Sequence, residues 1–340
     1  MVKIAAELQQ ALQQRAINGK SGGTTARMLA RGQGWSVDDV VCTSGPQDRP
    51  FEEQHSDVVI AIVAAGSFQY RASSLSRGAG GELMTPGSLV LGSQGQYFEC
   101  GHEHGLGDRC LAFRYAPDYF ESLLADSGAS VSSLHFAGLR LPPLRELSPI
   151  VARALAGLVA SEDTPWEEVA IQLAALAVQL THGSSSDNGD IPPSTLARIT
   201  RAARAIEQHP YATLTLGNLA QEARLSPYHF LRVFERVTGL TPHQYILRAR
   251  LRNAALRLAA EPTKILNVAF DCGFGDLSNF NRAFRAEFGV SPRDYRRGHG
   301  LKIQPRIHAN NANQTNKGMG LLSNHPARVV GSYFLPLVFR

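Results

Sequence analysis

"VAFDCGFGDLSNFNRAFRAEFGVSPRDY", residues 268–295, has a near twin upstream in "LAQEARLSPYHFLRVFERVTGLTPHQY", residues 219–245. Phe230 and Phe280, Arg232 and Arg282, Phe234 and Phe284, Gly239 and Gly289, Pro242 and Pro292, and Tyr245 and Tyr295 are each 50 positions apart. Ala220 and Ala269 are 49 apart, so the second copy carries one extra residue in its turn. Six pairs in constant register mark an internal repeat.

Each copy reads as helix, tight turn and second helix. In the first, Thr215 caps a helix running to about Ala223, Ser226 caps the next with Pro227 at its first position, and Gly239 ends it. In the second, Gly273 lies in the turn, Asp276 is the cap and Gly289 the stop. The phenylalanines, one turn apart, point inward. The opposite face then carries Tyr228, Leu231, Arg232 and Glu235 in one copy, and Leu277, Ser278, Asn281, Arg282 and Arg285 in the other. This is the layout of a DNA-binding helix-turn-helix, whose second helix enters the major groove. Arginine reads guanine, asparagine reads adenine and apolar groups meet the thymine methyl. Arg236, Arg248, Arg250 and Arg252 are candidates for phosphate contacts.

Charge divides the chain in the same place. Residues 195–300 hold 16 Lys/Arg and 8 Asp/Glu, whereas residues 1–194 hold 13 and 21. A basic half joined to an acidic half suits a polyanion partner for the second only. "GSSSDNGDIPP" (183–193) is polar and turn-rich, and residues 183–194 read as the linker.

Residues 195–300 closely resemble the DNA-binding domain of the AraC-type (AraC/XylS) transcription regulators. The resemblance rests on "LSPYHFLRVFERVTGLTPHQYILRARL" and "ILNVAFDCGFGDLSNFNRAFRAEFGVSPRDYRR", with the Gly-Phe, Phe-x-Arg-x-Phe and Gly-x-x-Pro-x-x-Tyr-Arg elements of the second. It implies two motifs joined by a long helix, here about Pro242 to Ala260, and recognition helices at 226–237 and 277–288 in successive major grooves. Arg232 and Arg282 match base-contacting positions of the family; Tyr228, Leu231, Leu277 and Ser278 match them more loosely, and Pro227 joins the expected DNA-binding set. Leu231 stands where a polar reader often occurs, so its contact is expected to be apolar. Asn281, Arg285 and Arg236 complete the expected DNA-binding set.

Ahead of the linker the pattern changes. Residues 1–34 read as an N-terminal extension that opens with an amphipathic helix to residue 18. "GKSGG" (19–23) lacks the upstream glycine of a phosphate-binding loop, since Gln14 stands there. From Trp35 to Tyr115, short strands rich in β-branched and aromatic residues alternate with glycine turns, as in a small barrel or jelly roll. Two helical patterns follow, opened by Pro142-Pro143 and by Thr164-Pro165, whose apolar stripes suit a two-helix hairpin or a dimer seam. "HSDVVIAIVAAGSFQYR" (55–71) and "LMTPGSLVLGSQGQYFECGHEH" (83–104) resemble the cupin-like module that family members often place first. The expected fold is therefore α+β: a cupin-like β-barrel sensor with a helical hairpin (35–182), then an all-α domain with two helix-turn-helix motifs. The metal-binding cupin pattern of His-x-His followed shortly by Glu is not reproduced.

One polar stretch inside the sensor, "CGHEHGLGDRC" (100–110), leaves three readings open. If the strand continues, Cys100, His102 and His104 share a face; Cys110 returns on the next strand, and His55 approaches from another. That set would suit tetrahedral zinc as a cofactor. The second reading is a polar hairpin with buried thiols and Asp108-Arg109 as a surface pair. The third is a redox-sensing or nucleophilic cysteine.

The expected function is sequence-specific transcription regulation rather than catalysis. Double-stranded DNA is the partner, and RNA polymerase, a small-molecule or metal effector and a second copy of the chain are further candidates. A cupin-type metalloenzyme with a DNA-binding appendage is the alternative. No signal-peptide core or 18-residue apolar span occurs, so the expectation is a cytoplasmic protein with no membrane partner. Four scattered cysteines suit reduced thiols. Residues 301–340 match no pattern and are expected to be a disordered tail.

Overall fold

A computed structural model describes residues 2–72, 81–126, 136, 138–159, 164–181 and 191–299. The expected tail 301–340, and all of the linker 183–194 before residue 191, lie outside them. The chain is mixed α and β, with a β-rich N-terminal region and a helical C-terminal region. Among the described residues no helix is long and apolar enough to cross a membrane.

The N-terminal region begins with helix α1 (Val2–Asn18) and strands β1 (Thr24–Gly32), β2 (Trp35–Cys42), β3 (Phe51–Gln54), β4 (Val58–Gly66) and β5 (Phe68–Ala72). Then come β6 (Glu82–Met84), β7 (Leu89–Gly92), β8 (Tyr97–Gly101), β9 (Asp108–Tyr115), helix α2 (Pro117–Asp126), β10 (Arg140–Leu141), and helices α3 (Ser148–Val159) and α4 (Trp166–Thr181). Six strands form one antiparallel sheet in the order β1-β2-β9-β4-β7-β10, and four form a second, β3-β8-β5-β6.

Strand β4, "VVIAIVAAG", has no polar face, because both of its faces are covered. Its alternation divides two cores. Ile60 and Ile62 join Leu111, Phe113 and Tyr115 of β9 against α1–α4. Val59, Ala61 and Val63 join Cys110 and Ala112 against Phe68, Tyr70 and Met84 of the second sheet. The six-stranded sheet is thus sandwiched between helices and the smaller sheet. Of residues 1–34, read as an extension, α1 and β1 belong to this sandwich. Ile4 and Leu8 of α1 are buried in the helix-side core, and β1 pairs with β2 along its length.

Arg109 is the largest fully buried side chain. It lies on the helix side, where Nε and Nη2 donate to Asp39 Oδ1 and Oδ2 at 2.8 and 2.9 Å, Nη2 also pairs with Glu7, and Nη1 donates to the Ile4 carbonyl at 3.3 Å. Asp108-Arg109 is therefore no surface pair: consecutive residues on a strand face opposite ways, and here both faces are buried.

The C-terminal region comprises α5 (Pro193–Gln208), α6 (Leu216–Glu222), α7 (Pro227–Thr238), α8 (Pro242–Ala260), α9 (Ile265–Asp271), α10 (Leu277–Phe288) and α11 (Pro292–His299). The caps are those the sequence predicts. Thr215, Ser226 and Asp276 accept from the backbone N–H of Asn218, His229 and Asn279. Gly239 and Gly289 end α7 and α10 with φ of 76° and 75°, a left-handed conformation that suits glycine. Helix α8 serves both repeats. Tyr245, Ile246 and Ala249 pack with Phe230 and Phe234, while Leu251, Ala254 and Leu258 pack with Phe280, Phe284 and Phe288.

The Asp39–Arg109 pair is expected to join β2 to β9 and to orient the guanidinium that anchors α1 through Glu7 and the Ile4 carbonyl. Asp39→Ala should lower the free energy of unfolding by about 3–5 kcal/mol, because it strands a buried guanidinium. Denaturant titration followed by far-ultraviolet dichroism checks it, and a loss below about 1 kcal/mol would refute the anchoring role.

Candidate nucleic-acid interface and sensor-side cluster

Helices α7 and α10 bury one face and expose the other. Phe230, Phe234 and Val237 of α7, and Phe280, Phe284 and Phe288 of α10, are buried. On α7, Pro227, Tyr228, Arg232 and Arg236 are exposed, and the Arg232 guanidinium lies 5.8 Å from the Tyr228 ring centroid. On α10, Ser278, Asn281, Arg282 and Arg285 are exposed, and Arg282 donates to Asn279 Oδ1 at 3.2 Å. Leu231 and Leu277 are half-buried, and Leu277 packs against the second repeat's core. Each helix thus carries a contiguous, cationic, solvent-facing surface beside a rigid apolar one.

The other arginines expected at phosphates do different work. Arg250 donates to three carbonyls: Nε to Pro210 at 2.6 Å, Nη1 to Gly273 at 2.9 Å and Nη2 to Ala212 at 3.0 Å. It joins the segment before α6 to the turn between α9 and α10. Arg252 is buried and donates to Glu207 Oε1 at 2.6 Å. Arg248 pairs with Glu287 Oε1 at 3.3 Å. Of the four, only Arg236 remains exposed.

Residue Arg224 occupies the turn of the first repeat with φ of 52°, where the second repeat has Gly273 at 83°. A side chain at 273 would meet the Tyr211 backbone at 2.9 Å. The two turns are the same left-handed corner built from different residues.

The candidate metal-ligating residues of the N-terminal region do not gather as the spacing predicts. Of His55, Cys100, His102, His104 and Cys110, only His102 belongs to a cluster of three or more metal-capable donors among the described residues, and its partners are Cys42 and Asp108. Strand β8 stops at Gly101, so its alternation does not extend to His102 and His104. His104 lies beside Glu103 at 3.9 Å, partly exposed. His55 is buried elsewhere: it stacks on Phe98 with centroids 4.1 Å apart and meets the Tyr70 hydroxyl at 2.7 Å. Burial, and secondarily the Arg114 charge, lower its pKa to about 4.

Sheet register builds the cluster that does form. Cys42 at the end of β2 is the cross-strand partner of Asp108 at the start of β9. Both sit on the face that carries Cys110, between the sheets. His102 Nε2 meets Asp108 Oδ1 at 2.6 Å, and the Cys110 thiol donates to Asp108 Oδ2 at 3.3 Å. Burial alone would depress the His102 pKa; hydrogen bonds to Asp108 and Cys42 outweigh it and push it up to about 9. For Cys42, burial works to raise the thiol pKa, and the His102 contact reverses this and lowers it. Cys100 and Cys110 are held as thiols, chiefly by burial. All four cysteines are free. The signal missed in the sequence is the true start of β9: beginning at Asp108 rather than Cys110, the strand puts Asp108 and Cys110 on one face.

Residues 219–298 match the family described as "Helix-turn-helix domain". The chain is 30% identical over 164 residues to the HTH-type transcriptional activator RhaS of Salmonella paratyphi B, a match covering 48% of this chain and 57% of that protein. It thus spans little more than half the length of the curated relatives it matches. Among solved structures, the C-terminal domain of AraT, a response regulator from Geobacillus stearothermophilus, is 26% identical with a TM-score of 0.30, covering 33% of this chain and 94% of that one. The DNA-binding domain of AdpA, a global transcriptional factor in complex with a target DNA, is 27% identical with a TM-score of 0.29, covering 30% and 91%.

Two outcomes follow from these environments. Arg250→Ala should destabilise the C-terminal region by about 1–3 kcal/mol, since three carbonyls lose one donor group; an unchanged urea midpoint would refute the clamp. His55 is neutral when folded but titrates near 6.5 when unfolded, so its contribution is full above 6.5 and is lost as pH falls toward 4. The difference in stability between the native protein and His55→Asn should change by up to about 3 kcal/mol across that window. Parallel pH dependences for the two proteins would contradict the assignment.

Proposed function

We propose that this chain, which carries an AraC-type helix-turn-helix domain, is a sequence-specific DNA-binding transcription regulator. The carrying observation is the pair of capped helices, α7 and α10, held by one 19-residue helix and exposing matched arginine faces. On this reading Arg232 and Arg282 read base edges, with Tyr228, Ser278, Asn281 and Arg285 beside them. Arg236 contacts phosphate, and Pro227 sets the first turn. Leu231 and Leu277 offer only half-buried apolar edges suited to a thymine methyl. The likeness to RhaS, a transcriptional activator, supports the same class of activity.

The domain plan is part of the proposal: a cupin-like sensor at 35–182, joined by the linker 183–194 to a DNA-binding domain at 195–300. The two facing sheets support the cupin-like reading. An effector bound to the sensor would modulate DNA binding, with RNA polymerase and a second copy of the chain as further partners.

The full-length protein selects its own operator from a random duplex pool, and variants are then compared on it. Arg282→Ala should lose roughly ten- to hundredfold in preference for the selected site, equivalent to about 1–3 kcal/mol. Arg236→Ala should weaken binding to all sequences alike and reduce the slope of log K against log salt by about 1. Failure to enrich any sequence would reject the proposal; unchanged selectivity in Arg282→Ala would reject the base-reading assignment.

A further inference from the structure

The geometry points to a divalent transition-metal site formed by Cys42 Sγ, a His102 ring nitrogen and an Asp108 carboxylate oxygen, between the two sheets of the N-terminal region. The three donors come from separate segments: the end of β2, the turn after β8 and the start of β9. All three side chains are buried, and their ligand atoms lie within 4.8 Å of one another. Ligands of a tetrahedral ion at about 2.0–2.3 Å stand roughly 3.3–3.8 Å apart, so shifts of about 1 Å close the set around a metal.

The donor chemistry selects the class of ion. One sulfur, one imidazole and one carboxylate suit zinc and its neighbours, not the hard cations that take oxygen alone. The Cys110 thiol, donating to the second Asp108 oxygen at 3.3 Å, orients that carboxylate, as an outer partner does in built metal sites. Strand pairing fixes Cys42 opposite Asp108, so two ligands are held by backbone register rather than by loop conformation. A cavity lined in part by Ala65, Gly66, Ser67 and Leu106 lies near this end of β9, and none of the three donors lines it. Gly66 lies so close that a side chain there would meet the backbone of Gly107 and Asp108.

The surroundings also connect the site to the helical region. Arg204 of α5 donates to Ser67 Oγ at 3.3 Å and to the Leu106 carbonyl at 3.4 Å, and its guanidinium fills the space above Gly105. The turn that supplies His102 is therefore the one that α5 touches. A regulatory consequence of metal binding rests on the DNA-binding reading; the metal site itself does not, and its test uses no DNA.

The full-length apoprotein is titrated with Co²⁺ and, separately, with Zn²⁺. One equivalent of Co²⁺ should give a thiolate-to-cobalt charge-transfer band that zinc displaces. Cys42→Ser should abolish the band, and His102→Gln and Asp108→Asn should each weaken binding at least tenfold. His55→Asn and His104→Ala should bind like the native protein. X-ray absorption of the native zinc-loaded chain gives a readout independent of variant folding: one sulfur with two or three nitrogen or oxygen neighbours is expected. Absence of a band in the native protein, an undiminished band in a folded Cys42→Ser variant, or a shell with no sulfur or with two or more would overturn the assignment.

Discussion

Every second residue of a β-strand faces the same way, and β9 is buried on both sides. This constraint organises the N-terminal region. Arg109, Leu111, Phe113 and Tyr115 must serve the helix-side core, and Asp108, Cys110 and Ala112 the space between the sheets. Two neighbouring charged residues are thereby driven into separate buried environments, each of which has to supply its own counter-charges and donors. Arg109 finds Asp39, Glu7 and the Ile4 carbonyl. Asp108 finds His102 and the Cys110 thiol. A one-residue slip of β9 would exchange the two faces and leave both charges without partners, so the polar contacts specify the register as strongly as the apolar ones do.

The helical region depends on a comparable economy in α8. Its one surface must complete two cores, so its positions divide along its length, with Tyr245 and Ala249 in the first core and Leu251, Ala254 and Leu258 in the second. Three arginines then occupy the remaining inward positions. Arg250 spans the two repeats through carbonyls, Arg252 pairs with Glu207, and Arg248 pairs with Glu287. The relative placement of α7 and α10 is therefore held by packing and by directed hydrogen bonds together. On the proposed reading, that rigidity would keep the two helices spaced for successive turns of a duplex.

What was legible in the sequence was what is local. Caps, stop glycines and phenylalanines one turn apart are encoded within a few residues, and the repeat doubled each signal. Helix α8 and both recognition helices fall within a residue of the expected limits. Arginine roles were not legible, because a guanidinium that meets phosphate and one that holds carbonyls are the same residue type. A partial signal existed: Arg252 lies on the same helical face as Tyr245 and Ala249, at i+7 and i+3, which marks it for burial. The Cys42–His102–Asp108 cluster was hidden for another reason. Its members lie up to 66 positions apart and are joined by the β2–β9 register, which no local pattern specifies. The strand end mattered too, since moving the start of β9 by two residues turned a supposed surface pair into two buried ones.

The two regions meet at the C-terminal end of α7 and along α10. Arg140, beside Glu82, donates to the Val237 carbonyl at the end of α7 at 3.0 Å, and Leu83 enters the core of the first repeat. Glu287 of α10 accepts from Ser148 of α3 at 2.5 Å, and Ala152 enters the core of the second repeat. The two helices are thus held by different elements, α7 by β6 and β10, edge strands of the two sheets, and α10 by α3. Close-packed contacts transmit displacement rather than absorb it. A shift of these edge strands relative to α3 would move α7 and α10 unequally. On the proposed reading, in which both helices meet DNA together, such a displacement would act on DNA binding from the side opposite the exposed arginines.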